Sequence, residues 1–212
     1  MHIHHPVPHD PVRRRSRWRL GVLLAGLLAS SQAGAVFTFF PFTNPRLIQL
    51  QVGATGATIN NVTFNVTGAR TSPAPLPVLG IPDASTPSTA PPGGVRIRML
   101  GRWNSGTQRV RLSVDSAAGL ACVGGTGCGS TVIPFNTIGW IAGEKSNFTG
   151  FDIQNGTFTG SATQPLVDFV CCALFSEQNF EMANTLVFTY DNATLYPAGS
   201  YRGRVVFTAS IE

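Results

Sequence analysis

The chain has 212 residues, 12% of them charged and 43% hydrophobic, with a formal charge of +5. Five of its 15 basic residues and one of its ten acids lie in the first 35 positions. The remainder is close to neutral, which excludes the basic surface of a nucleic-acid-binding protein. All four histidines fall before residue 10, which removes Ser-His and Cys-His nucleophile systems and the commonest general base from the rest.

In chain order, Arg13 to Arg19 supply five arginines, Leu20 to Ala29 an apolar run, and Ala33-Gly34-Ala35 a small-residue cleavage site. That order is the n-, h- and c-region of a secretory signal peptide, so residues 1–35 are expected to be removed. The apolar run is half of the ~20 residues a membrane span needs, and no later stretch is apolar enough to span. The histidine-rich opening fits no part of a signal and reads as an over-extended start. Residues 36–52 then read as an N-terminal extension and 53–212 as the folded domain.

Short alternating runs follow, separated by Gly, Pro, Asn and Ser. They are Ile48–Leu50–Val52, Val62–Phe64–Val66, Val95–Ile97–Met99, Val110–Leu112–Val114, Leu186–Phe188–Tyr190 and Val205–Phe207–Ala209–Ile211. Period two places each apolar set on one face of a strand, and several such strands predict an all-β, antiparallel sandwich or barrel. Asn104-Ser105-Gly106 predicts a hairpin between the third and fourth runs. Tyr196-Pro197-Ala198-Gly199 predicts a type I turn. Thr71 to Gly94 holds seven prolines and reads as a surface loop or a crossover between sheets. Ser176 to Ala183 is the one place where a helical turn is allowed.

Export implies an oxidising compartment, so Cys122, Cys128, Cys171 and Cys172 are expected in disulfides. One pairing closes a ring across Gly124-Gly125-Thr126-Gly127 and leaves Cys171 and Cys172 as a vicinal pair. The other cross-links the two groups. A metal site is disfavoured by the missing CxxC spacing and histidines. No cofactor motif appears: the glycine-rich loop lacks the Lys-Ser/Thr and helix of a phosphate loop. The carboxylate pairs Asp152 with Asp168 and Glu177 with Glu181 are the only acid–base candidates, and they read as ordinary surface groups. No enzyme is expected. Arg96, Arg98, Arg109 and Arg111 share one face of the predicted hairpin, which is either a patch for an anionic partner or a solvated outer face whose arginines pair with carboxylates. Of five Asn-x-Thr sequons, most are attributed to the abundance of Asn and Thr.

The closing stretch, LVFTYDNATLYPAGSYRGRVVFTASIE, resembles the C-terminal strands of bacterial chaperone–usher pilus subunits and the related spore-coat-U-like secreted proteins. Those subunits carry a glycine fourteen positions from the end, as Gly199 is here, followed by an alternating strand. The family's frequent penultimate tyrosine is replaced by Ile211. The stretch VIPFNTIGWIAG to GTFTGSATQPL is similar to the same proteins. The resemblance implies an incomplete immunoglobulin-like sandwich, complemented by a donor strand. A periplasmic chaperone, an outer-membrane usher and neighbouring copies or related subunits are the implied partners, at a cell-surface fimbrium reached through the periplasm. Gly199, Val205, Phe207, Ala209 and Ile211 would then line the acceptor groove. Ile48, Leu50 and Val52 are the candidate donor strand, or else an ordinary first strand of the same domain. The alternative function is a secreted or tip-located adhesin that binds a glycan through loops such as Thr71 to Gly94.

Overall fold

Each alternating run has one face for the interior and one for solvent, and in the computed structural model these faces meet across two sheets. The structure describes residues 46–53, 61–67, 70, 74–83, 93–103, 106–145, 151–171 and 178–212. The strands are β1 (Leu47–Val52), β2 (Val62–Thr63), β3 (Val78–Leu79), β4 (Ile81–Pro82), β5 (Val95–Trp103), β6 (Gln108–Asp115) and β7 (Leu120–Gly124). There follow β8 (Val132–Ile133), β9 (Ile138–Gly143), β10 (Gly156–Thr157), β11 (Gln164–Cys171), β12 (Gln178–Tyr190), β13 (Ser200–Gly203) and β14 (Val206–Ile211). No α-helix occurs among the described residues; Phe135–Thr137 make one 3-10 turn.

The fold is an all-β sandwich of antiparallel sheets. One sheet runs β1-β5-β12-β9-β10, with β3 beside the end of β12. The other runs β11-β6-β14. Two smaller sheets, β13-β7-β8 and β2-β4, stand apart in pairing from these. Ile97, Met99 and Trp103 of β5 and Val110, Leu112 and Val114 of β6 are all 0% exposed and belong to one shared core with Met182, Leu186 and Phe188 of β12. Full burial of such side chains contributes roughly 1.5–3 kcal/mol each. Aromatic rings fill one part of this core: Phe158 lies 5.0 Å from Trp140, 5.7 Å from Phe135 and 5.8 Å from Phe188.

The hairpin expected around Asn104-Ser105-Gly106 does not form. β5 pairs with β1 and β12, and β6 pairs with β11 and β14. The chain therefore passes from one sheet to the other between β5 and β6. The physical reason is burial: both strands carry an inward row with no exposed surface, and opposing them across the interior buries both rows.

The helical allowance over Ser176 to Ala183 is also overturned for its described part. Gln178–Ala183 belong to β12, where Phe180 and Met182 face inward beside Gly101 and Met99 in register. The proline-rich stretch contributes two-residue strands, β3 and β4, with Val78 buried. Short pieces suit prolines, which remove ladder donors. The run Val62–Val66 shortens to Val62–Thr63. The expected signal peptide lies outside the described residues.

Candidate functional site

The site with most to offer is the edge shared by β1 and β14, the outermost strands of the two facing sheets. β1 pairs only with β5, and β14 only with β6, among the described residues. In β1, Ile48, Leu50 and Val52 stand opposite Gly101, Met99 and Ile97, so they form its inward row. In β14, Phe207, Ala209 and Ile211 stand opposite Val114, Leu112 and Val110 and form the matching row. All six are only partly buried, whereas the residues opposite them in β6 have no exposed surface. Val205 precedes the strand and is likewise partly buried against the core. Two partly buried inward rows thus approach each other along one side of the interior.

Ile48, Leu50 and Val52 do not extend away from the domain as a free donor strand. They are an internal strand of this chain, hydrogen-bonded to β5 over Leu47 to Val52. Alternation specifies a face and leaves the partner unspecified, and β5, with nine residues, offers an edge within the same chain. The sandwich therefore takes in residues 47–52, previously assigned to the extension.

Gly199 serves a different purpose from the expected one. Its φ is not in the left-handed region. A Cβ placed there would stand 2.7 Å from Cys128 Cβ, closer still to its Sγ, and 3.0 Å from the Gly124 carbonyl oxygen. The glycine is needed for space. It lets the segment before β13 lie against the ring closed by the Cys122–Cys128 disulfide, whose Cα atoms are 5.9 Å apart. Gly125, at φ +111°, lies against Gly199 from the other side. Tyr201 donates its hydroxyl to the Pro197 carbonyl at 2.8 Å, across a bend at Ala198 and Gly199 where the type I turn was expected. The Cys122–Cys128 bond excludes the cross-linked pairing. Cys171 is also disulfide-bonded, and Cys172 lies outside the described residues.

Because β5 and β6 lie in different sheets, the four arginines do not form one patch. Arg98 donates to Glu181 at 2.7 Å on the outer face of one sheet. On the other, Arg109 grips Asp168 with two bonds of 2.6 and 2.8 Å. Arg111 reaches Asp168 at 3.4 Å and Glu212 at 3.3 Å. Hydrogen bonding to Arg109 holds the Asp168 carboxyl below the usual range, and Arg98 does the same for Glu181. Arg96 is half-buried, with its Nε unpartnered. These are largely neutralised ladders across neighbouring strands, of modest strength when exposed.

The carboxylate candidates are similarly engaged. Asp152 is buried and accepts from Asn184 Nδ2 at 3.0 Å, while Asn184 Oδ1 accepts from the Ile153 amide at 2.9 Å. This fully buried asparagine, which sequence reading missed, ties the 151–155 segment to β12. Asp168 belongs to the other sheet, and Glu177 lies outside the described residues. Of the sequons, Asn192 is 2% exposed and donates to the carbonyls of Arg70 and Leu76, so its side chain is engaged in structure. Compared with protein-family models, curated proteins and solved structures, the chain matches none.

Proposed function

We propose that this chain is an exported structural subunit of a bacterial surface fibre, assembled when a strand from a neighbouring copy occupies the edge between β1 and β14. The observation that carries this reading is the pair of partly buried inward rows, Ile48–Leu50–Val52 and Phe207–Ala209–Ile211, on strands that stand at the ends of their sheets' strand orders. An uncovered apolar edge invites a further strand. The strand order gives independent support. An immunoglobulin sandwich places strands A-B-E-D against C-F-G. Here β1-β5-β12-β9 parallels A-B-E-D and the β6-β14 part of β11-β6-β14 parallels C-F, with β11, on the far side of β6, having no counterpart in that order. The resemblance of Leu186 to Glu212 to chaperone–usher subunits and spore-coat-U-like proteins points the same way, as does the signal-like opening.

With β1 engaged in its own sheet, the donor moves upstream, to the Phe-rich residues 36–45. A periplasmic chaperone and an outer-membrane usher are the partners this assembly calls for. Electron microscopy of cells exporting the protein with its neighbouring genes tests the proposal. Surface fibres containing the chain are expected; a permanently monomeric secreted product would overturn it.

A further inference from the structure

The outer face of the larger sheet carries a depression where β1, β5 and β12 run side by side. Ile48, Met99 and Phe180 turn inward, so their neighbours along each strand turn outward. The register then sets two rows across the three strands. Gln49, Leu100 and Glu181 make one, and Leu47, Arg102 and Asn179 make the next. With strands ~4.8 Å apart, Gln49 and Glu181 stand about 10 Å from each other across Leu100. The depression these side chains line has a volume of about 380 Å³, within the ~300–1,000 Å³ of small-molecule sites.

Its floor is apolar and its rim is polar. Leu100 is partly buried and Leu47 is 45% exposed. The rim holds hydrogen-bonding capacity that the fold does not use. The carboxamides of Gln49 and Asn179 bond to no other residue, and of the Glu181 carboxylate only Oε1 is engaged, by Arg98 at 2.7 Å. That ion pair fixes the carboxylate and leaves Oε2 to accept. On the other outer face, by contrast, Arg109 occupies both oxygens of Asp168. Two groups that donate and accept and one that only accepts thus surround a leucine.

We propose that this depression binds one pyranose residue of a glycan, with Leu100 and Leu47 beneath the ring and Gln49, Asn179 and Glu181 on its hydroxyls. A pyranose has an apolar C–H face and a girdle of hydroxyls that each donate and accept, which is the complement of this floor and rim. A purely apolar ligand would strip water from the rim without replacing its hydrogen bonds, at a cost in affinity. The residues lie on strands, whereas the adhesin alternative placed glycan recognition on loops such as Thr71 to Gly94. A shallow site with three polar groups should hold one ring weakly, with a dissociation constant on the order of millimolar. Copies repeated along a fibre would raise that by avidity.

The test is NMR titration of the exported monomer with the methyl glycosides of glucose, galactose, mannose and N-acetylglucosamine, each to about 50 mM. At least one is expected to shift the side-chain amides of Gln49 and Asn179 and the methyls of Leu100 together and saturably. Gln49→Ala and Asn179→Ala should each weaken that binding about fivefold, the size of a lost hydrogen bond. Neither carboxamide has a partner to lose, so the urea midpoints should match wild type, which guards against misfolding. Thr208→Ala, on an exposed residue of the other sheet, should bind as wild type does. Absence of a saturable shift with all four glycosides overturns the site. Binding at wild-type strength in the Gln49→Ala, Asn179→Ala double variant also overturns it, because the sugar then sits elsewhere. The measurement needs no fibre, so its failure leaves assembly by strand donation standing.

Discussion

Truncating Ile211 to alanine should behave differently in the isolated protein and in the assembled one. Leu112, in the middle of β6, has no exposed surface, and Leu112→Ala should cost about 2–5 kcal/mol in any state of the protein. Ile211 faces the same interior but is only partly buried. Part of its surface is already in water, so Ile211→Ala should cost only about 1–2 kcal/mol in the monomer. A strand lying against β14 would bury what remains, and the substitution should then weaken association by roughly a further 1 kcal/mol, about fivefold. Urea denaturation of dilute monomer gives the first quantity, provided the slope is unchanged. Titration with a peptide of residues 36–46 gives the second. The reasoning is refuted if Ile211→Ala destabilises the monomer as much as Leu112→Ala while leaving strand binding untouched, because the edge would then be closed already.

Gly199→Ala drives a methyl group into Cys128 and the Gly124 carbonyl and should cost about 1–3 kcal/mol; a neutral thermal melt would show that the ring can give way. Reducing the Cys122–Cys128 ring, which spans a sequence separation of 6, should cost about 2 kcal/mol and lower the melting temperature by roughly 4–8 °C, measured by calorimetry with and without reductant. Asp168 and Glu181 are held below their ordinary values of 3.8 and 4.5 by arginine partners. Their stabilising contribution is therefore full above those values and is lost as pH falls through the lower folded-state values; NMR titration of the two carboxyl carbons should show depressed midpoints, and ordinary ones would mean the pairs do not persist in solution. Asn184→Leu should remove one partner from Asp152 and the side-chain acceptor of the Ile153 amide, costing about 1–3 kcal/mol in urea denaturation, and an unchanged midpoint would show that the amide finds another acceptor.

The faces of the strands were legible in the sequence; their neighbours were not. Val95–Ile97–Met99 and Val110–Leu112–Val114 alternate as core strands do, and the structure buries those residues. The turn residues between them announce a reversal of the chain but carry no information on whether it re-pairs or crosses to the opposite sheet. That ambiguity led to the hairpin and the single arginine face, and it left β1 without an assigned partner. β12 was obscured by the spacing of Glu177 and Glu181, which mimics a helical turn, although Phe180 and Met182 already alternate. The role of Gly199 depends on a disulfide ring seventy residues earlier in the chain, and that of Asn184 on a loop thirty residues away. Neither leaves a local signal.

Amide hydrogen exchange along Val206–Ile211 tests the open edge most directly, read in dilute monomer and again in the assembled state. The amides turned away from β6 are predicted to exchange rapidly in the monomer and to become protected on assembly, while those bonded to β6 stay protected throughout. Protection of every β14 amide in the monomer, unchanged by assembly, would mean that the sandwich is complete on its own and would contradict assembly by strand donation.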